Sequence, residues 1–499
     1  MADATREIER KYESDGSGLP DLTGVGGVAA VVDKGLVELD AVYYDTADQR
    51  LAAASLTLRR RTGGSDAGWH LKIPVAPGVR DEIRAPLCDT VPGELAALVR
   101  SRVRDAELIP LVRLRSARDV RHLLDAHGTL LAEASVDTVT AERLTAGGGA
   151  AQWTEIEVEL AQDGDPAFLD KVEKRLRKAG VRPSGAPSKL ARALEQTGTA
   201  RPEPVKPPEP KTAGDHVLAY LRAQRDALVA LDPAVRRDLP DSVHRMRVAT
   251  RRARSTLCTF RKVLDRTVTD PVAAELKWLA GELGVDRDRE VLSDRLATAL
   301  DGLPPALVTG PVHDRMAAWA SARRSSARGR VTGVLDSRRH LALLDSLDAL
   351  LADPPLRPAA ARKPQKVLAK AVRKDLAKLS GLVAQALELP PGKERDLALH
   401  EARKKAKRTR YAAEAATPAL GSPARALSAS TKALTSLLGD HQDSVMARRA
   451  LGELSAVAHA AGESTFTYGV LYAREEQRAA GTEAELPGLW DSVRGGAEV

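Results

Sequence analysis

Two short segments of the sequence place charged side chains at every second position. They are REIERKY (6–12) and WTEIEVEL (153–160). Side chains on a β-strand alternate between its two faces, so one face of each strand would carry these residues: Glu7, Glu9 and Lys11 in the first segment, and Glu155, Glu157 and Glu159 in the second. Three carboxylates on one face repel one another. A solvent-facing sheet surface explains a single such strand, and so does a divalent cation, because carboxylate oxygens are ligands that Mg²⁺ and Mn²⁺ prefer.

Basic side chains occupy other β-type segments at the same spacing. Arg59 shares a strand face with Arg61, and Arg80 shares one with Glu82, while Lys72 lies in WHLKIP; further arginines follow at Arg113, Arg115 and Arg118. A closed barrel that turned both sets inward would have a lumen with acids for metal ions and cations for a phosphate chain. Phosphoryl transfer needs such positioning and charge neutralisation, and no covalent nucleophile.

A basic segment in the C-terminal part of the chain occurs twice. HRMRVATRRAR (244–254) aligns with HEARKKAKRTR (400–410) without a gap. At about 100° per residue, positions 0, 3, 7 and 10 of a helix share one arc, which would hold His244, Arg247, Arg251 and Arg254, and His400, Arg403, Lys407 and Arg410. We expect no acidic partners on that arc. A solvated basic face is one interpretation, but the shared register favours an anion site. The two histidines could instead cap a helix or pack in the core. A neutral imidazole would add positive charge only when an anion binds or at lower pH.

Further segments repeat in the same order. LGVDRD (283–288) pairs with LGDHQD (438–443), expected to form a turn, and 216–228 resembles 366–379. A repeated order of elements indicates a gene duplication and a pseudo-symmetric domain.

The local pattern changes at a proline-rich stretch. Before it, β-type runs are separated by Gly, Pro and Asp, which predicts an antiparallel sheet or barrel; after it, Ala/Leu/Arg-rich segments follow a 3.6-residue period, which predicts helices. RPEPVKPPEPK (201–211) contains five prolines and favours an extended spacer. We therefore expect a multidomain α+β protein with domains at 1–200 and 213–494, joined by a linker at 201–212.

Composition excludes several classes of protein. The 499 residues carry a net charge of +8, and acidic residues outnumber basic ones before residue 200, so the basic C-terminal part implies a polyanionic partner. Aromatic residues form only 3% of the chain, which argues against a stacking platform for nucleic acid. The two cysteines are far apart, the N-terminus is too charged for a signal peptide, and no apolar run reaches a membrane span. These features predict a cytoplasmic protein without a membrane partner; nucleotide-binding and hydrolase-triad motifs are absent.

The first part of the chain, over residues 3–198, resembles CYTH domains, the triphosphate tunnel metalloenzymes. It carries their elements in order: Glu7-Ile8-Glu9-Arg10-Lys11 (ExExK), Tyr44-Asp45-Thr46, Leu58-Arg59-Arg60-Arg61, Leu71-Lys72, Asp137, the Glu155/Glu157/Glu159 strand and Ser188-Lys189. The resemblance implies an eight-stranded antiparallel barrel with a hydrophilic tunnel.

The same resemblance implies a tunnel site for a linear triphosphate, with Mg²⁺ or Mn²⁺ as cofactor. The implied metal ligands are Glu7, Glu9, Asp137, Glu155, Glu157 and Glu159. The implied triphosphate ligands are Lys11, Arg59, Arg61, Lys72, Arg80 and Arg118, with Lys189 as a catalytic residue from the last helix.

The second part, over residues 213–494, resembles the CHAD domain, the conserved-histidine α-helical domain, through the duplicated His/Arg segments and LGDHQD. The resemblance implies two four-helix bundles related by a pseudo-two-fold axis, with a basic surface or pore that binds inorganic polyphosphate. The implied polyphosphate ligands are His244, Arg247, Arg251, Arg252, Arg254, Lys370, Arg373, His400, Arg403, Lys404, Lys407, Arg408 and Arg410.

Together these features give the hypothesis of a metal-dependent inorganic triphosphatase whose helical domain binds polyphosphate. Two alternatives stay open: a non-catalytic polyphosphate-binding or granule-associated protein, and a CYTH enzyme acting on an organic triphosphate, as a thiamine triphosphatase or adenylate cyclase does. Nucleic-acid binding through the basic helices is disfavoured because no groove-reading motif is present.

Overall fold

The chain divides into two compact units, Met1–Pro207 and Pro208–Val499. The computed structural model describes residues 3–14, 16, 18–145, 147–198, 209–324 and 327–495, without the side chains of residues 3, 286–288, 323, 324, 327 and 328. Most of the expected linker, 201–208, lies outside the described residues. Its end, Thr212, caps the first helix of the second unit through a reciprocal pair of hydrogen bonds with Asp215.

Eight strands form a closed antiparallel barrel in the described part of the first unit. They are β1 (Asp3–Glu13), β2 (Ala30–Asp45), β3 (Thr57–Thr62), β4 (Gly68–Ala76), β5 (Val79–Ala85), β6 (Ile109–Leu124), β7 (Leu130–Arg143) and β8 (Ala150–Leu160). Around the barrel the order is β1-β5-β4-β3-β2-β6-β7-β8, and β1 pairs with β8 to close it. The predicted eight-stranded barrel is confirmed.

The alternation along each strand separates a polar lumen from an apolar exterior. On the outside, Tyr12, Ile156 and Val158 are buried beneath α2 (Ala167–Lys178), where they meet Phe168 and Val172. A second outer helix, α1 (Gly93–Val103), belongs to the apolar cluster that covers β3, β4 and β5. Each fully buried apolar side chain stabilises the fold by about 1.5–3 kcal/mol, so these outer clusters stabilise the barrel wall.

A third helix, α3 (Lys189–Gln196), closes one end of the lumen. Its amino end is capped by Ser188, whose hydroxyl accepts a hydrogen bond of 3.1 Å from the Ala191 amide. Leu190 and Leu194 pack against apolar side chains of the barrel wall, among them Trp153 of β8. The first residue of this helix, Lys189, is thereby placed at the inner end of the lumen.

The described part of the second unit is helical. Its helices are α4 (Ala213–Arg236), α5 (Ser242–Thr259), α6 (Arg266–Asp301), α7 (Val312–Arg324), α8 (Ala327–Asp336), α9 (Arg338–Ala352), α10 (Pro364–Glu388), α11 (Lys393–Leu420), α12 (Ser422–Ala460) and α13 (Phe466–Gly495). Neighbours pack in the same order in both halves, α4 to α7 and α10 to α13. The predicted repeat is confirmed, since α5 and α11 carry the two basic segments.

The two halves share one apolar core, to which Leu257 of α5 and Ala406 of α11 both contribute. The expected turn at LGDHQD is wrong: 438–443 lies within α12, and its counterpart 283–288 lies within α6. Leu283 and Leu438 are buried in the core, and a single glycine costs a helix only about 1 kcal/mol, so packing keeps both segments helical. No helix in the described ranges combines the length and the apolar character that a membrane span requires.

Candidate functional site

The barrel lumen contains a cavity of about 590 Å³ lined by acidic and basic side chains. Residues from both predicted sets border this cavity: Glu7, Glu9, Lys11, Arg59, Arg61, Lys72, Arg80, Arg118, Glu157, Glu159 and Lys189. The other two predicted carboxylates, Asp137 and Glu155, are 0% and 2% exposed and contact Lys189. The structure therefore brings together the whole tunnel set that the resemblance implies. Arg113 and Arg115, which the strand pattern also pointed to, are not in the cavity lining and pair with Asp40 instead.

The densest group of carboxylates lies where β7, β8 and α3 meet. Lys189 Nζ is 2.7 Å from Asp137 Oδ2, 2.9 Å from Glu155 Oε1 and 2.5 Å from Glu157 Oε1. Arg118 adds a paired contact with Asp137, at 2.8 and 2.7 Å. Burial by itself would raise the pKa of Asp137, but Lys189 and Arg118 hold it well below the usual range. Burial would also raise the pKa of Glu155, but Lys189 and Lys11 lower it. Asp137 and Glu155 are therefore ionised and able to bind a cation.

A second group of carboxylates lies on β1 and the facing part of β8. Glu9 is directly opposite Glu159 in the strand register. Burial raises the pKa of Glu7 to about 7, against the opposing effect of Lys72, whose Nζ lies 2.5 Å from Glu7 Oε2. Burial would also raise the pKa of Glu9, but Lys11, Lys72 and other cations lower it far below its usual range. Neighbouring carboxylates of the lumen thus differ widely in pKa.

Cations line the wall beside these carboxylates. Arg59 lies 3.6 Å from Glu82 and donates a hydrogen bond of 3.3 Å to the Tyr43 hydroxyl. Lys11 contacts Glu157, and its pKa is lowered to about 8, chiefly by burial. The lumen is a mixed-charge environment in which a cation paired with a carboxylate could exchange that partner for a phosphate oxygen.

The chemistry of the donors fits a divalent metal ion. One oxygen each from Asp137, Glu155 and Glu157 lies within 4.8 Å of the other two. All three donors are carboxylate oxygens, which suits Mg²⁺ or Mn²⁺ rather than a softer metal. The position of Lys189 Nζ among them shows that the fold already neutralises charge at this point.

In the second unit, the two basic segments form matching surfaces. Arg247 of α5 lies against Gly284 of α6, and Arg403 of α11 lies against Gly439 of α12. The glycines are the second residues of LGVDRD and LGDHQD, so the duplicated sequence builds the same arginine–glycine contact twice. His244 is exposed, whereas the half-buried His400 has its Nδ1 2.6 Å from Gln442 Oε1. Burial lowers the pKa of His400.

Comparison with known proteins identifies both units. The CYTH domain model matches residues 5–194, and the CHAD domain model matches residues 219–452. Two uncharacterized proteins of Mycobacterium tuberculosis, from strains CDC 1551 / Oshkosh and H37Rv, are each 40% identical over 489 residues, which covers 95% of this chain and 93% of theirs. The chain belongs to the CYTH–CHAD family. Its CYTH domain indicates metal-dependent chemistry of the triphosphate hydrolase or cyclase type.

Several solved structures are similar to part of this chain. PptA from Streptomyces chartreusis is 24% identical, covers 56% of this chain and 100% of its own, and has a TM-score of 0.48. The CHAD domain from the plant Ricinus communis is 24% identical, with 57% and 92% covered and a TM-score of 0.45. A putative adenylyl cyclase from Hippeastrum with a dominant triphosphatase activity is 20% identical, with 38% and 96% covered and a TM-score of 0.23.

Sequence reasoning left Glu82 out of the CYTH site, although it is one of the most deeply buried lumen carboxylates, at 1% exposed. Its Oε1 is 2.9 Å from His70 Nδ1 and 3.7 Å from Lys72 Nζ. Despite burial, the pKa of Glu82 is lowered by His70, Lys72 and Arg59. The signal was present, because Glu82 shares the strand parity of Arg80.

The CHAD domain corrects one expectation about its arginines. The basic arc does have an acidic partner: Glu414, one turn beyond Arg410 on α11, accepts hydrogen bonds of 2.9 Å from both Arg410 and Arg252. Arg252 and Arg410 also lie over the Tyr411 ring. The sequence analysis missed Glu414 because this residue lies just after the repeated segment 400–410.

Further predicted polyphosphate ligands are divided between interior contacts and the surface. Arg408 bonds Asp375, Thr259 and the Cys258 carbonyl, and Lys404 pairs with Glu401. Arg251 and Lys407 are half-buried. The exposed members are His244, Arg254, Lys370, Arg373 and Lys404.

Proposed function

We propose that the CYTH domain hydrolyses inorganic triphosphate to pyrophosphate and phosphate with Mg²⁺ or Mn²⁺, and that the CHAD domain binds inorganic polyphosphate. The observation that supports hydrolysis is the convergence of carboxylates and cations inside one closed lumen. A surface that only binds ions does not need carboxylates and cations buried together. Such burial costs free energy unless each charge is paired.

In this proposal each side of the lumen has its own task. The carboxylates on β1, β7 and β8 would hold the metal ion, which when bound would supply positive charge against the phosphates and a lower pKa for a coordinated water. The cations hold the oxygens of the triphosphate: Lys11, Arg59, Arg61, Lys72, Arg80 and Arg118. Water adds to the terminal phosphorus while the bond from that phosphorus to the bridging oxygen breaks. The electron pair of that bond leaves with pyrophosphate, and the proton that the water loses passes to the phosphate products. Lys189, with its ammonium beside Asp137, Glu155 and Glu157, donates hydrogen bonds at the reacting end.

The lining favours an inorganic substrate over a nucleotide or thiamine triphosphate. Tyr43 is the sole aromatic residue among the described residues that line the cavity, and its hydroxyl is occupied by Arg59. A base or thiazolium ring is usually held by stacking against aromatic faces. The cavity offers charge along its length, which suits a chain of phosphates.

The test of hydrolysis is a panel assay of the full chain with tripolyphosphate, ATP, thiamine triphosphate and long polyphosphate, each with Mg²⁺ and with Mn²⁺. We expect tripolyphosphate to give the highest kcat/KM and Glu157→Gln to abolish turnover. Glu142→Gln is the matched control, because Glu142 is an exposed glutamate of β7. Unchanged turnover in Glu157→Gln, or preference for ATP or thiamine triphosphate, would overturn the proposal.

Polyphosphate binding by the CHAD domain is supported by its duplicated basic surface. Arg254, Lys370 and Arg373 are exposed, and Arg247 and Arg403 occupy equivalent places in the two halves. A flexible polyanion needs repeated cations more than a shaped pocket, and its affinity falls with salt. Competition measures the preference: unlabelled polyphosphate should displace labelled polyphosphate from the full chain at a far lower phosphate concentration than duplex DNA does. Equal displacement by DNA would contradict this assignment.

A further inference from the structure

A buried histidine lies between two carboxylates in the CHAD domain. His441 of α12 is 2% exposed. Its Nε2 is 3.3 Å from Asp396 Oδ1 of α11 and 3.1 Å from Glu483 Oε1 of α13. One atom from each of three helices therefore converges on one point, and the three potential ligand atoms lie within 4.8 Å of one another.

The outer oxygens of both carboxylates are held by arginines. Arg448 NH2 lies 3.2 Å from Asp396 Oδ2, and Arg395 Nε lies 3.2 Å from Glu483 Oε2. Each carboxylate thus presents only its inner oxygen to His441. Partners that fix the outer atoms of a ligand and so orient its inner atom are the usual surroundings of a protein metal site.

The spacing of the inner atoms suits a small cation. Ligands at about 2.0–2.1 Å from a tetrahedral zinc ion lie about 3.3 Å from one another, and the two measured separations are 3.1 and 3.3 Å. A neutral imidazole has a single N–H, so Nε2 can give its one hydrogen to only one carboxylate at full strength. A metal ion would instead be shared by all three groups.

The donor set also predicts which metal would bind. One imidazole nitrogen with two carboxylate oxygens suits zinc and neighbouring transition metals, whereas the all-carboxylate group in the CYTH lumen suits Mg²⁺ or Mn²⁺. Asp396 and Glu483 keep 17% and 13% of their side chains exposed, so an ion and a completing water can reach the point. Three protein ligands plus water is the common arrangement of an open zinc site.

We propose that Asp396, His441 and Glu483 form a zinc-class metal site that joins α11, α12 and α13. This site is independent of the proposed hydrolysis, because none of its residues lies in the CYTH lumen. A bound ion would act as a cross-link between the last three helices of the chain and would stabilise the folded state by mass action.

The test uses the untagged full chain, stripped of metal with a chelator and titrated with Co²⁺ and with Zn²⁺. The main variant is His441→Gln, and Asp396→Asn and Glu483→Gln are two further conservative variants. The circular dichroism spectrum of each variant is compared with that of the wild type to confirm that it is folded. His459→Gln is the matched control, because His459 is an exposed histidine of the same helix. The double variant Glu155→Gln/Glu157→Gln removes two carboxylates of the CYTH lumen, so that metal bound there does not contribute to the measured signal.

We expect the visible absorption of four- or five-coordinate Co²⁺, and a rise in thermal midpoint with Zn²⁺, in the wild type, in His459→Gln and in the lumen variant. Both signals should be lost in His441→Gln and weakened by about tenfold or more in affinity in the two carboxylate variants. The same Co²⁺ spectrum in wild type and His441→Gln would overturn the proposal. So would a wild type without either signal, which would make the group a buried ion-pair layer that fixes helix register.

Discussion

At the scale of single residues, Lys189 is the side chain whose removal has the clearest consequence. Its ammonium is the shared partner of Asp137, Glu155 and Glu157 at 2.5–2.9 Å, and it is 9% exposed. Lys189→Met would leave three buried carboxylates short of a counter-charge, which typically costs about 3–5 kcal/mol. We expect the metal-free variant to unfold at lower urea, and Mn²⁺ to restore more stability to it than to the wild type, because the ion supplies the missing charge.

The control is Lys174→Met on the exposed side of α2, which should leave both the urea midpoint and the effect of Mn²⁺ unchanged. A Lys189→Met variant as stable as the wild type without metal would show that the three carboxylates are not ionised together.

Glu7 gives a prediction about pH. Burial raises its pKa from 4.5 to about 7, so in the folded chain it keeps a proton that the unfolded chain releases above pH 4.5. Its contribution to stability is therefore fully present below pH 4.5 and is lost as the pH rises through about 7. A carboxylate must lose its proton to bind a metal, so the Mn²⁺ affinity of the full chain should rise between pH 6 and pH 8.

Isothermal titration calorimetry at several pH values measures that affinity. The Glu7→Gln variant should bind Mn²⁺ more weakly at every pH, and its affinity should change less between pH 6 and pH 8. A rise of the same steepness in Glu7→Gln would assign the titration to another group of the lumen.

At the scale of elements, the duplicated arginine–glycine contact makes a paired prediction. A Cβ added to Gly284 would lie 2.6 Å from Arg247 NH2, whereas one added to Gly439 would lie 3.5 Å from Arg403 NH2. Alanine favours a helix by about 1 kcal/mol over glycine, and the group that must move in the first case is the end of a flexible side chain. Both alanine variants should therefore be at least as stable as the wild type.

They should differ in anion binding. Gly284→Ala displaces the Arg247 guanidinium and should weaken polyphosphate binding by about tenfold or more, the value of one charged hydrogen bond. Gly439→Ala should bind as the wild type does. Thermal melts and a filter-retention assay of both variants check this, and equal binding would mean that Arg247 does not touch the polyanion.

The elements also show what the sequence could and could not reveal. Alternation with period two predicted which residues face the lumen, because a closed barrel leaves a strand only two faces. The duplicated order predicted the helical repeat. The contact of Arg252 with Glu414 joins residues on different helices, and no local pattern encodes it. The helical state of LGDHQD likewise depends on burial of Leu438, which outweighs the glycine signal.

At the scale of the whole molecule, the two units differ in how their cations are paired. The CYTH lumen pairs nearly all of its predicted cations with carboxylates, so it can select a short anion together with a metal ion. The CHAD surface has exposed cations such as Arg254 and Arg373, which in the proposed function bind a long polyanion without a metal. Each ligand should therefore depend on its own unit, even though both ligands are made of phosphate.

Two variants, one in each unit, test whether each ligand depends on its own unit. In the full chain, Arg254→Gln/Arg403→Gln should lose retention of long polyphosphate and keep tripolyphosphate turnover, whereas Glu157→Gln should do the opposite. Loss of two cations should also lower the slope of log affinity against log salt by about 1 to 2, by analogy with phosphate contacts in nucleic acids. Arg449→Gln is the control, because Arg449 is an exposed arginine of α12 paired with Glu453. If Arg254→Gln/Arg403→Gln lost tripolyphosphate turnover as well, the two phosphate ligands would depend on one combined site, and the division of labour would be wrong.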